Sequence, residues 1–204
     1  MDRRTTIKWV VAASAVWPLY SRLVQAGSTP TARGVGTDPN LLPLYRAGEL
    51  WPLTLTHEQR ELAHILADII IPADAHSPSA SAVGVVDFID EWVSAPYSEH
   101  QRDQKVILDG LAWLDAQALR RFHKLFKALE STEQASICDT ICAQSPAASS
   151  LQSATSFFAL FRDLTAGGFY STPVGRIDLN YIGNKPLERF DGPPLELLKT
   201  LGLQ

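Results

Sequence analysis

The chain has 204 residues, 46% of them apolar and 20% charged, which suits one domain with a real core and excludes a disordered chain. Four of its 18 basic residues and one of its 22 acidic residues lie in the first 26 positions, so the rest carries 14 against 21, a charge near −7. That balance excludes non-specific nucleic-acid binding, which needs cations to neutralise phosphates, and no basic patch interleaved with aromatics is read in the chain.

The N-terminus opens Asp2-Arg3-Arg4-Thr5-Thr6-Ile7-Lys8, continues without charge from Trp9 to Tyr20, and leaves through Arg22 and Val24-Gln25-Ala26. A basic start, a short apolar middle and a small-residue exit form a secretory signal. The paired Arg3 and Arg4 make it the twin-arginine variant, which carries folded cargo. Cleavage is expected after Ala26, leaving 178 residues in the periplasm. Two other readings stand beside this one. A retained anchor needs roughly 20 apolar residues, and Pro18, Ser21 and Arg22 interrupt the run. An amphipathic helix lying on a membrane or a partner is the second.

Residues 27–55 read as an irregular arm, because Gly27, Pro30, Gly34, Gly36, Pro39, Pro43 and Pro52 break any regular period. Leu41, Leu42, Leu44, Tyr45, Leu50, Trp51 and Leu53 make it too apolar for a free spacer. Residues 56–204 read as a helical domain. Thr56 and Gln59 form a capping box ahead of Leu62, Ile65, Leu66, Ile69 and Ile70, and Pro72 stops that helix. A second helix runs from about Val85 to Ala95 with Val86, Ile89, Trp92 and Val93 on one face, closed by Pro96. A long third starts near Ser98, with Gln101 completing a box. Ser131 opens a fourth. A fifth runs from about Leu151 to Thr165, ended by Gly167 and Gly168. The tail from Phe169 to Gly192 reads as irregular, and Pro193-Pro194 opens a short last helix. With no strand alternation, the expected class is all-α: a single domain of five or six helices with an irregular arm and tail.

Chemistry is sparse along this chain. Gly34-Val35-Gly36 lacks the third glycine and the strand–helix context of a dinucleotide site, and no Gly-x-Ser-x-Gly elbow occurs. His57 and His64, seven apart on one helix, are two turns from each other and read as solvent-facing. Asp87, Asp90 and Glu91 can serve as acid and base when their environments differ, but the simpler reading is solvated charge near a helix N-terminus. Cys138 and Cys142, four apart, read as two buried thiols on one helical face; a bond to a partner's cysteine and a strained local disulfide are the alternatives. Phe157, Phe158, Phe161, Phe169 and Tyr170 read as core ahead of a haem or flavin pocket. No catalytic, cofactor-binding or metal-ligating residue is assigned. Gly167 to Gly175 reads as a glycine-rich loop with exposed aromatics, the composition of a binding segment.

Four segments carry a resemblance: Leu55-Thr56-His57-Glu58-Gln59-Arg60; Leu66-Ala67-Asp68-Ile69-Ile70-Ile71-Pro72 with Gly84-Val85-Val86-Asp87-Phe88-Ile89-Asp90; Leu111-Ala112-Trp113-Leu114-Asp115; and Gly167-Gly168-Phe169-Tyr170-Ser171-Thr172-Pro173 through Tyr181-Ile182-Gly183-Asn184. In this order they resemble the gluconate 2-dehydrogenase subunit 3 family, over roughly residues 53–203. The chain departs from a common form of that family at Pro78-Ser79-Ala80, where a Pro-Gly-Ala turn is usual, and at Val174-Gly175-Arg176. The resemblance implies a helical small subunit with no cofactor of its own. The partner it implies is a large FAD-containing subunit of the GMC type, oxidising a sugar, glycoside or polyol, with a cytochrome c subunit often taking the electrons. It implies export of the signalless large subunit bound to the small one, and membrane association only through the complex.

Two readings from other classes remain: a free-standing periplasmic binding or scaffold protein, and an independent enzyme. If a complex forms, the arm and the tail are the expected interface. Its anchors are Trp51, Phe169, Tyr170, Tyr181 and Ile182, since aromatic side chains dominate interface energies; packing within the monomer is the competing role for each.

Overall fold

The structure is a computed structural model that describes residues 40, 43–142, 151–181, 183, 186, 189, 192, 193, 195–200, 202 and 203. Arg3, Arg4, Ala26 and Ile182 therefore lie outside the described residues. The chain divides into two units, Met1–Leu50 and Trp51–Gln204. In the first, the Tyr45 hydroxyl donates to the Asn40 carbonyl at 2.7 Å, and the Glu49 side chain accepts from the Arg46 N–H at 3.0 Å.

The second unit is all helical among the described residues. Its helices are α1 (His57–Ile70), α2 (Val85–Ser94), α3 (Ser98–Phe122), α4 (Ser131–Cys138), α5 (Gln152–Ser171), α6 (Pro173–Asp178) and α7 (Leu195–Thr200). The Thr56 capping box forms as expected, with Thr56 Oγ1 accepting from Gln59 N and Gln59 Oε1 accepting from Thr56 N. Helices α3 and α4 start at Ser98 and Ser131 as expected, but their caps differ. The α3 N-cap is Tyr97, with no side-chain cap bond. The α4 box is built by Glu130 and Glu133, so Ser131 is already inside the helix; a glutamate carboxylate can accept the same orphan N–H groups as a hydroxyl.

The larger correction concerns α5. It does not stop at Gly167-Gly168 but continues to Ser171, so Phe169 and Tyr170 sit on a helix rather than in a loop. Gly168 is there for closeness: a Cβ on it would lie 2.8 Å from Phe88 Cδ1 and 3.3 Å from Val85 Cγ1. Glycine lets α5 lie flush on α2. Gly110 plays the same part where α3 meets α5, since the Phe157 ring fills the place of its Cβ.

The core is one cluster. Leu62 and Leu66 from α1, Val86 and Ile89 from α2, Ile107, Leu111 and Leu114 from α3, and Phe157, Phe161 and Phe169 from α5 all contribute buried side chains. Helix α5 touches α1, α2 and α3, so its phenylalanines are the centre of the bundle. Full burial of each such ring contributes roughly 1.5–3 kcal/mol. The cysteines part company: Cys138 is buried, whereas Cys142 lies past the end of α4 and is exposed, and both are free. Once the helix ends, the four-residue spacing no longer places them on one face.

Candidate partner interface

The C-terminal corner is built from the end of α5. Thr172 Oγ1 donates to the Phe169 carbonyl at 2.7 Å and accepts from Gly175 N–H at 3.0 Å, so one hydroxyl closes α5 and caps α6. Pro173 stands in the first turn, where its fixed φ and missing N–H carry no penalty. Gly175 lies against the backbone of Phe169 and Tyr170, with no room for a Cβ. Helix α6 ends in a Schellman motif. Asn180 adopts φ 52°, the Asn180 N–H donates to the Ile177 carbonyl at 2.9 Å, and the Tyr181 N–H donates to the Arg176 carbonyl at 2.9 Å.

This corner turns apolar side chains outward: Ile177 is 76% exposed, Leu179 56% and Tyr181 57%. Pro173, Arg176, Ile177, Tyr181 and Gly183 line a notch of about 470 Å³. The expected anchors therefore separate. Tyr181 is on this surface. Phe169 is not: it is fully buried, edge-on to Tyr170 at 5.2 Å between ring centroids. As an anchor for another chain it is corrected to a core residue, because the extra turn of α5 carries it inward. Tyr170 is half-buried against the core.

Trp51 begins the compact unit and is half-buried. Its indole N–H donates to the Glu91 carbonyl at 3.1 Å, and its ring meets Tyr97 edge-on at 6.1 Å. Tyr97, His100 and Trp92 continue the cluster, with the Trp92–His100 centroids 4.3 Å apart. The Trp92 indole donates to Asp103 Oδ2 at 3.0 Å.

Beneath Trp51 lies a polar network that overturns the reading of Asp90 as a solvated charge. Asp90 is fully buried. Its Oδ1 accepts from Thr54 N at 3.1 Å, Leu55 N at 3.0 Å and the Ser94 hydroxyl at 3.3 Å; its Oδ2 accepts from Arg60 at 2.7 Å. Arg60 also holds Asp87. Burial works against the Arg60 charge, and the Asp87 and Asp90 carboxylates outweigh it, so its pKa lies above the ordinary guanidinium value. The network fixes the extended segment before α1 onto α2. A sequence signal for it existed: Val86, Ile89, Asp90 and Val93 follow the 3.6-residue period, which puts Asp90 on the inward face.

His57 is exposed and 3.5 Å from Glu61; His64 is half-buried. Among the described residues no three histidine, cysteine or acidic side chains gather as a metal site, and no helix is long and apolar enough to cross a membrane. A cleft of about 540 Å³ between α3 and the start of α5 contains the Lys105–Asp109 pair at 2.6 Å, together with Trp113 and Gln152. The sequence reading also missed the run Leu119-Arg120-Arg121-Phe122-His123-Lys124-Leu125-Phe126-Lys127, which is basic and interleaved with aromatics.

These features define a helical unit whose most distinctive described surface is an apolar corner rather than a cluster of ionisable groups. The family model for gluconate 2-dehydrogenase subunit 3 matches residues 57–192. The chain belongs to this family, that of an accessory subunit of a dehydrogenase complex. Comparison with curated proteins and with solved structures returned no match.

Proposed function

We propose that this chain is the non-catalytic small subunit of an exported, FAD-dependent sugar or glycoside dehydrogenase. The family membership supports a dehydrogenase partner. The observation that carries the reading is the corner at Ile177, Leu179 and Tyr181. Three large apolar side chains are held outward on a doubly capped turn, at an entropic cost already met by folding. In this reading the corner seats the large flavoprotein subunit, of the GMC type. That subunit holds the FAD and oxidises the substrate, and a cytochrome c subunit takes the electrons. Arg3 and Arg4 supply a twin-arginine signal for both chains, and the complex works in the periplasm, meeting the membrane through its assembled subunits. The small subunit contributes by covering apolar surface on the flavoprotein and so stabilising it.

The test is co-expression of the flavoprotein subunit with the parent chain, with Arg3→Lys/Arg4→Lys, with Tyr181→Ala, or alone. The expected outcome is an active, flavin-loaded, periplasmic enzyme with the parent only. The double-lysine variant leaves active enzyme in the cytoplasm, and Tyr181→Ala weakens co-purification. A flavoprotein that is equally soluble, active and exported alone sinks the proposal.

A further inference from the structure

We propose that the turn at the C-terminal end of α3, Leu119 to Lys127, is a contact for an anionic lipid surface. In a chain of net charge −4, these nine positions hold Arg120, Arg121, Lys124 and Lys127 and no acid. The turn is firmly anchored from below. His123 takes φ 59° and its N–H donates to the Leu119 carbonyl at 3.1 Å. Phe126 is fully buried and its N–H donates to Asp115 Oδ1 at 2.9 Å. With Phe126 inside, Leu119 and Leu125 face out, 48% and 44% exposed.

Two of the four cations are already engaged. Lys127 is 2.7 Å from Glu61 Oε2, and Arg121 donates to the Ser136 carbonyl at 3.2 Å and lies over the Phe122 ring. Arg120 and Lys124 are exposed and make no ion pair among the described residues. Cations in a last helical turn do stabilise the helix end, but that role does not account for two outward leucines flanking them, Leu119 before Arg120 and Leu125 after Lys124.

The composition favours lipid over protein or nucleic acid. A protein interface of standard size needs roughly 800 Å² per partner and a core of aromatic or arginine anchors. The turn presents no exposed phenylalanine, tyrosine or tryptophan ring, Arg121 is already engaged, and two leucines with Arg120 make a smaller core than the corner at Ile177, Leu179 and Tyr181. The two leucines suffice for shallow insertion beside headgroups, where neighbouring cations meet phosphates. Nucleic acid offers the leucines nothing. The inference needs no dehydrogenase partner, so it stands or falls separately from the function proposed above.

The experiment is co-sedimentation of the full chain with phosphatidylcholine vesicles, with and without phosphatidylglycerol. Every variant keeps the same first 26 residues, so that segment's contribution is common to all. The parent is expected to bind the phosphatidylglycerol vesicles preferentially, and less as salt rises. Arg120→Ala/Lys124→Ala is expected to weaken binding about 25-fold, at about fivefold per cation. Leu119→Ser/Leu125→Ser weakens it without changing the salt dependence, and Arg120→Lys/Lys124→Arg keeps it. Melting curves of each variant confirm the fold. Parent binding that is indifferent to phosphatidylglycerol overturns the proposal, as does an alanine pair that binds like the parent. An alanine pair that binds vesicles normally but no longer co-purifies with the flavoprotein also overturns it, and makes the turn a protein contact.

Discussion

Asp90→Ala tests whether the buried network holds the start of the domain to α2. Removing the carboxylate takes the acceptor from the buried Leu55 N–H; the Thr54 N–H keeps Ser94 Oγ at 2.8 Å. One orphaned buried donor costs roughly 1–3 kcal/mol. Arg60 loses one of two carboxylates but keeps Asp87, and its side chain is 25% exposed, so water recovers much of that loss and about 1 kcal/mol remains. The sum is about 2–4 kcal/mol. For a unit of this size each kcal/mol moves Tm by about 2–4 °C, so a fall of about 5–15 °C is expected. The assay is thermal unfolding of the full chain followed by circular dichroism. Asp90→Asn keeps an oxygen for Leu55 and should lose about half as much. Arg60→Met leaves a buried carboxylate without its countercharge, and should cost more than Asp90→Ala, roughly 3–5 kcal/mol. The double variant should be less damaged than the two singles added. An Asp90→Ala protein melting within about 2 °C of the parent would refute the reasoning.

Further outcomes follow from the same geometry. Phe169→Ala should lower stability by about 3–5 kcal/mol as a core truncation, whereas Tyr181→Ala should stay within about 0.5 kcal/mol in the melt and show its effect in co-purification. Gly167 has open space around it, so Gly167→Ala should raise stability by up to about 1 kcal/mol; Gly175→Ala, pressed on the Phe169 carbonyl, should lower it, and equal melts for the pair would remove the close-packed corner. Burial pushes the Cys138 thiol up from 9.0 to about 12. An aromatic disulfide reagent should thus titrate one thiol, Cys142, in the native chain and two after denaturation. Because the unfolded chain releases the Cys138 proton first, stability from this group is intact below pH 9.0 and falls by about 1.4 kcal/mol per pH unit towards about pH 12. Cys138→Val should flatten that alkaline slope, measured by denaturant unfolding across the window.

Local signals were readable where a residue acts on its own neighbours. Thr56 and Gln59 cap α1 because both partners lie within one turn, and Pro72 and Pro96 mark helix ends through their missing N–H groups. Gly167-Gly168 misled because glycine has two uses: it can end a helix in the left-handed region, or thin a helix for a neighbour. Only the presence of Phe88 and Val85 across the gap selects the second. Phe169 was misplaced as a consequence, since about one further turn of α5 past Thr165 carries it into the core. Asp90 was misread by residue type, although its spacing from Val86, Ile89 and Val93 already put it on the inward face.

The all-helical class and the family resemblance came from the sequence, because hydrophobic period, capping and motif order are properties of the chain itself. The tertiary structure alone decided which aromatics face solvent, which groups partner the inward carboxylate of Asp90 and which thiol is shielded. Each of those depends on residues far apart in the chain, such as Thr54 with Asp90 or Gly110 with Phe157, and burial is set only when helices meet.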